Sequence, residues 1–263
     1  MKARALKKAS ASGRFWDVDA VRGVAMILVA TYHLVYDLDA LGGYPVNSTG
    51  MFWGNFADTS AFMFVFLVGL SLALSHDRTR SKTPSGASLF PKYLMRGLRI
   101  FGYGMLITVV FWALNAGVVI FGILHMIGLS IILAYPFLRL RWTSLLAGLL
   151  VIGAGAFVQA NQGMFVLHGI WGFLLAPFGI LPAGIYMDDY RALLPWFGVV
   201  LLGLFCGNVF YLPRRRKAPL GPTPGYVRPL AFVGRHTLLI YLVHQPVLIA
   251  LLWAFGVVSP GTV

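Results

Sequence analysis

The stretch VDAVRGVAMILVATYHLVYDL, Val18 to Leu38, decides the fold class, because it is long and apolar and yet carries Asp19, Arg22, His33 and Asp37. As an α-helix it advances about 100° and about 1.5 Å per residue. Arg22 and His33, eleven residues apart, then fall within about 20° of one face and about 16 Å apart along the axis. Asp19 lies three before Arg22 and Asp37 four after His33, which puts both on that same side. Charged groups at membrane depth are costly and face a bundle interior or a water-filled cavity. A cation at one end of this stripe and a His–Asp pair at the other is an arrangement suited to chemistry.

The rest of the chain agrees with a membrane setting. Of its 263 residues, 59% are hydrophobic and only 11% charged, against about a quarter charged in soluble domains. The expected class is all-α: a polytopic transmembrane bundle of about seven spans, nine at most. We place the spans at 18–38, 57–76, 93–114, 117–138, 143–160, 191–212 and 229–256. Segment 163–190 is apolar but interrupted by Pro177, Pro182 and several glycines. It reads as a re-entrant or interfacial segment on the outer face, with a pair of short helices as the alternative. Residues 1–17 form a basic cytoplasmic tail and 18–258 a single transmembrane domain.

The net charge of +13 is distributed in a pattern. Lys and Arg gather before the first span, at 78–92, at Arg139 and Arg141, and at 214–228, whereas 39–56, 115–117 and 161–190 have none. This alternation obeys the positive-inside rule, with the N-terminus cytoplasmic and the C-terminus outside. The basic loops serve as topology signals and contacts to anionic lipid, not to nucleic acid. The first span lacks a small-residue cleavage site and carries Arg22, so it does not read as a signal peptide. All eight acidic residues are Asp, which excludes a di-iron site built on Glu-x-x-His pairs. We expect no metal. Cys206 has no second cysteine to pair with.

That topology sorts the polar residues by depth. His33, Asp37, Asp58, His125 and His244 gather toward the outer half, and Arg22, Arg96, Arg99, Arg235 and His236 near the inner boundary. His168, Asp188 and Asp189 lie in the outer segment. An Arg cluster suits the phosphates of a nucleotide-like donor. A His with a carboxylate one turn away suits a general base. The distance from Arg22 to His33 is comparable with the reach of a pantetheine arm, so an acyl-CoA could enter from the cytoplasm. On that reading His33 is the base or a transient acyl carrier, Asp37 orients it, and Asp58 assists the acceptor. Arg22, Arg96, Arg99, Arg235 and His236 hold the donor, while His125, Tyr241, His244 and Gln245 line the pocket and donate to an oxyanion. Two rival readings stand beside it. One is a proton-coupled transporter or flippase, which intramembrane Asp and His relays permit; no inverted repeat supports it. The other is a haem carrier with paired His ligands.

The motif D-x-x-RG-x-A at Asp19–Ala25, with His33 after ten intervening residues, resembles the first helix of integral-membrane acyltransferases. ADTSAFMFVFLVGLSLALS at 57–75, FGILHMIGLS at 121–130, DDYRALLPWFGVVLLG at 188–203 and GRHTLLIYLVHQPVL at 234–248 resemble the branch of heparan-α-glucosaminide N-acetyltransferase and its bacterial relatives. The resemblance covers nearly the whole chain. It implies transfer of an acetyl group from cytoplasmic acetyl-CoA, a co-substrate, to a glycan or glycolipid acceptor across a bacterial inner membrane; a homo-oligomer stays open. The lysosomal enzyme's proposed catalytic His lies in the loop after the first helix, and here 39–57 contains no His. His33 instead matches the Arg-x10-His pattern of bacterial envelope O-acyltransferases, so amine and hydroxyl acceptors, and direct transfer and an acyl-His intermediate, are all open.

Overall fold

A computed structural model describes residues 15–113, 119–165, 170–181, 187, 189–217 and 220–258. The basic residues before position 15, His168 and Asp188 lie outside the described residues. The described residues are helical, without strands; a single antiparallel bridge joins Gly122 to Tyr190. Six helices are long and apolar enough to cross a membrane. The chain divides into two compact units, Met1–Leu67 with Arg215–Val263, and Val68–Arg214.

The first unit contains α1 (Trp16–Ala40), the first part of α2 (Met51–Arg80), α9 (Arg228–Arg235) and α10 (Thr237–Ala254). The buried residues of α1 are Val18, Asp19, Gly23, Ala25, Met26, Val29 and Asp37, a stripe at helical spacing. Val21, Val24 and Ile27 stand exposed, as apolar side chains do where lipid is the solvent. The helix pair is set by two glycines: a Cβ at Gly23 would strike the Leu230 carbonyl, and one at Gly234 the Asp19 carbonyl. Small residues that let backbones touch are the usual device for close packing in membranes. Position 23 meets 230–234, Asp37 meets Gln245, and Gly42 meets Val257. α1 and the α9–α10 pair therefore run parallel.

The last expected span, 229–256, is broken at His236, where φ is −106° and ψ 16°. Gly234, pressed against α1, precedes the break, and the Thr237 hydroxyl donates to the Gly234 carbonyl at 2.7 Å. That bond satisfies a carbonyl the interrupted helix leaves without its usual partner.

The second unit contains the rest of α2, α3 (Phe90–Ala113), α4 (Ile123–Leu133), α5 (Arg141–Ala160), α6 (Ile170–Leu175), α7 (Leu193–Cys206) and, up to Arg214, α8 (Leu212–Lys217). A π turn, Gly207–Tyr211, carries α7 into α8. Glycines again allow close contacts: Gly69 against the Val200 carbonyl between α2 and α7, Gly97 with Gly128 between α3 and α4, and Gly148 with Gly198 between α5 and α7.

The expected span 117–138 is corrected here to an α-helix of 11 residues. It rises about 16 Å, against about 30 Å of hydrocarbon. Its ends have local causes. The chain enters extended through Gly122, the Asp189 carboxylate accepts the Ile123 N–H at 3.3 Å, and Pro136 in the 3-10 turn Tyr135–Arg139 cannot donate to continue the helix. In the described part of segment 163–190 only short turns occur, α6 and two 3-10 helices, Gln162–Phe165 and Ala176–Phe178. The Tyr190 hydroxyl donates to the Ala176 carbonyl at 2.6 Å, tying the end of that segment to its middle.

Candidate functional site

In the first unit the polar residues of α1 meet those of α9 and α10 at two levels. At the level of Arg22, the guanidinium donates to Asp19 Oδ1 at 2.7 Å and reaches the Gly234 carbonyl at 3.4 Å. Asp19 is buried, whereas about a quarter of the Arg22 side chain, 27%, is exposed. Arg235 is exposed in the last turn of α9, and His236 is exposed just after it. The His236 Nδ1–H donates to the Phe232 carbonyl at 2.9 Å. Two guanidinium groups, Arg22 paired with Asp19 and Arg235 exposed, thus stand at this end, and such groups bind anionic oxygens through charge-assisted bonds.

Three turns further along, at the second level, the ring of His33 meets that of His244 edge to face, with centroids 5.0 Å apart. One turn on, Asp37 is only 1% exposed, and its Oδ1 accepts from Gln245 Nε2 at 2.7 Å. Asp37 is thus engaged across the helix pair by Gln245. Tyr241 is buried, its ring 5.2 Å from His244 and 6.1 Å from Phe64 of α2. Asp58 is exposed near the start of α2.

The hydrogen bonds of His244 fix its tautomer. Its Nδ1 lies 2.6 Å from the Tyr241 carbonyl, and a carbonyl only accepts, so Nδ1 carries the hydrogen. Nε2 then presents a lone pair, buried and without a partner among the described residues. Asp37 Oδ2 and Gln245 Oε1 are buried and unpartnered in the same sense. In the neutral ring the available nitrogen of His244 is thus an acceptor, whereas the sequence reading has His244 donate to an oxyanion.

The remaining expected residues belong to the second unit. Arg96 and Arg99 stand on α3, the first half-buried and the second exposed. His125, 1% exposed, sits on the first turn of α4 between the rings of Phe101 and Phe121, at 5.0 and 5.9 Å. Its Nδ1 accepts the Gly122 N–H at 3.1 Å, so the hydrogen is on Nε2, a buried donor without a partner among the described residues. His125 and His244 are thus held by backbone groups in opposite tautomers.

Sequence reasoning located His33, Asp37, His244 and Gln245 but not their pairing. It missed Thr237, signalled only as a polar residue within an apolar run, and the Tyr241 carbonyl, for which the sequence offers no signal. Residues 14–246 match the family described as heparan-alpha-glucosaminide N-acetyltransferase, catalytic. No curated protein and no solved structure matches the chain.

Proposed function

Because the chain belongs to the heparan-alpha-glucosaminide N-acetyltransferase catalytic family, we propose that it moves an acetyl group from cytoplasmic acetyl-CoA to an amine or hydroxyl of a glycan or glycolipid across the membrane. Family membership makes it a membrane acetyltransferase; donor, sidedness and acceptor are what is proposed. The observation that carries the reading is the division of one helix pair. Arg22 and Arg235 stand at one end of it, and His33, Asp37, His244 and Gln245 at the other. Arg22 and His33 are about 16 Å apart along α1, comparable with the reach of a pantetheine arm. Phosphates held at the cation end would present the thioester near the histidines.

Arg22, Arg235 and His236 hold the donor's phosphates. His33 transfers protons at the reacting centre, Asp37 is the carboxylate that serves it, and Asp58 assists the acceptor. Within the second unit, His125 offers a buried Nε2–H, a donor of the kind that stabilises charge forming in a transition state. The basic loops support a cytoplasmic N-terminus in a bacterial plasma membrane. The parallel course of α1 and α10 supports an odd number of crossings, which leaves one crossing to a segment shorter than a full span.

Calorimetry of acetyl-CoA binding to detergent-purified protein tests the reading. Wild type is expected to bind saturably. Arg22→Ala is expected to weaken binding by about 10- to 100-fold, the loss of one charge-assisted hydrogen bond of about 1.5–3 kcal/mol. Absence of saturable binding by folded wild-type protein would overturn the donor assignment.

A further inference from the structure

We infer that His244 takes the proton from the acyl acceptor, and that Asp37 and Gln245 hold that acceptor by its N–H or O–H groups. The inference rests on the acetyltransferase reading and assigns one of its two substrates to named atoms. Three buried polar atoms of the first unit are without partners among the described residues: Asp37 Oδ2, His244 Nε2 and Gln245 Oε1. A buried polar group left without a hydrogen bond is costly, so three in one cluster call for a ligand. The cluster is contiguous: Gln245 is bonded to Asp37, and His244 precedes it in the chain and faces His33.

The chemistry of the three atoms selects the ligand. As a carboxylate oxygen, an amide oxygen and a ring nitrogen bearing a lone pair, all three are acceptors. A thioester carbonyl, itself an acceptor, finds no partner in these three atoms. A sugar brings the hydrogens such a set requires, one from the reacting amine or hydroxyl and the others from its neighbouring hydroxyls. The Tyr241 carbonyl, fixed in the helix backbone, holds Nδ1–H in place and stabilises the imidazolium that forms, the part a carboxylate plays in other His bases.

The step balances without a further reactant beyond the acyl thioester. The acceptor's nitrogen or oxygen attacks the thioester carbon, its N–H or O–H bond breaks, and the proton passes to His244 Nε2. The new C–N or C–O bond forms as the C–S bond breaks, and the sulfur leaves with the electron pair. The His33 ring, edge-on to His244, relays the proton gained by His244 to that sulfur, so the thiol departs and both rings end neutral.

His244→Asn tests this, because its amide N–H can keep the bond to the Tyr241 carbonyl while Nε2 is removed. The assay uses acetyl-CoA with two nucleophiles, glucosamine and hydroxylamine; the second attacks thioesters with little need of a base. Transfer to glucosamine is expected to fall in kcat by about 10²–10⁴-fold, the usual worth of a general base. Transfer to hydroxylamine should fall by less than about tenfold, and acetyl-CoA affinity should not change. Gln245→Met should raise the KM for glucosamine by about tenfold, as one lost acceptor implies. If His244→Asn fails to fold, His244→Gln carries the same comparison. A glucosamine rate within about threefold of wild type, or equal losses with both nucleophiles, would overturn the assignment of His244. Wild-type protein that neither binds nor consumes acetyl-CoA would instead overturn the acetyltransferase reading beneath it.

Discussion

His33→Ala is expected to lower acetyl transfer by about 10²–10⁴-fold, which corresponds to about 3–5 kcal/mol of barrier. The residue stands on α1 three turns from Arg22, with its ring against that of His244. Removing the imidazole leaves the donor end of the helix pair intact, because Arg22 is held by Asp19 and by Gly234. Acetyl-CoA affinity should therefore survive while kcat falls. The side chain is half-buried, so the loss of stability should be about 1 kcal/mol, too small to account for the loss of rate. His33→Gln, which keeps volume and polarity but cannot carry a proton at neutral pH, should be as impaired as the alanine variant. Steady-state transfer with a thermal melt of each variant decides the matter. Turnover near wild type in folded His33→Ala would remove His33 from the reaction.

Gly234→Val is expected to be the most damaging single change to the fold of the first unit. A side chain there meets the Asp19 carbonyl, a backbone group that cannot rotate away. α1 and α9 must then part. Overpacking against side chains costs about 1–3 kcal/mol, and against backbone the cost should lie at or above that range. The same displacement takes the Gly234 carbonyl from both Arg22 and Thr237, so protein that still folds should bind acetyl-CoA less tightly. Gly102→Ala is the control: a Cβ there has nothing within 4 Å, and Ala favours the helix by up to about 1 kcal/mol. A melting temperature for Gly234→Val equal to wild type would mean that the glycine contact does not hold the helices together.

Much of the fold was legible because a bilayer imposes length and hydropathy on every crossing helix. Val18–Leu38 shows this: its apolar length set the class and its polar spacing located Arg22, His33 and Asp37 on one side. Length alone misled at 117–138, where apolar composition continues across Gly122 and Pro136 although the helix does not. It misled again at 229–256, where the contact of Gly234 with α1 precedes a break at His236. Hydropathy registers the solvent that a segment prefers and does not register where its hydrogen bonds go.

The candidate site divides along the same line. The sequence alone determined a helical membrane protein, the resemblance to an acetyltransferase family, and that Asp19 and Arg22 share a helix face, because i, i+3 neighbours lie side by side. Only the tertiary structure decided that Asp37 pairs with Gln245, 208 positions away, and that the Tyr241 carbonyl makes His244 an acceptor. Those relations depend on how two distant helices are set against each other, and that setting rests on the Gly23 and Gly234 backbones touching their partners. Local spacing can place residues on a face; which atoms of that face are already bonded, and which remain for a substrate, depends on what packs against it.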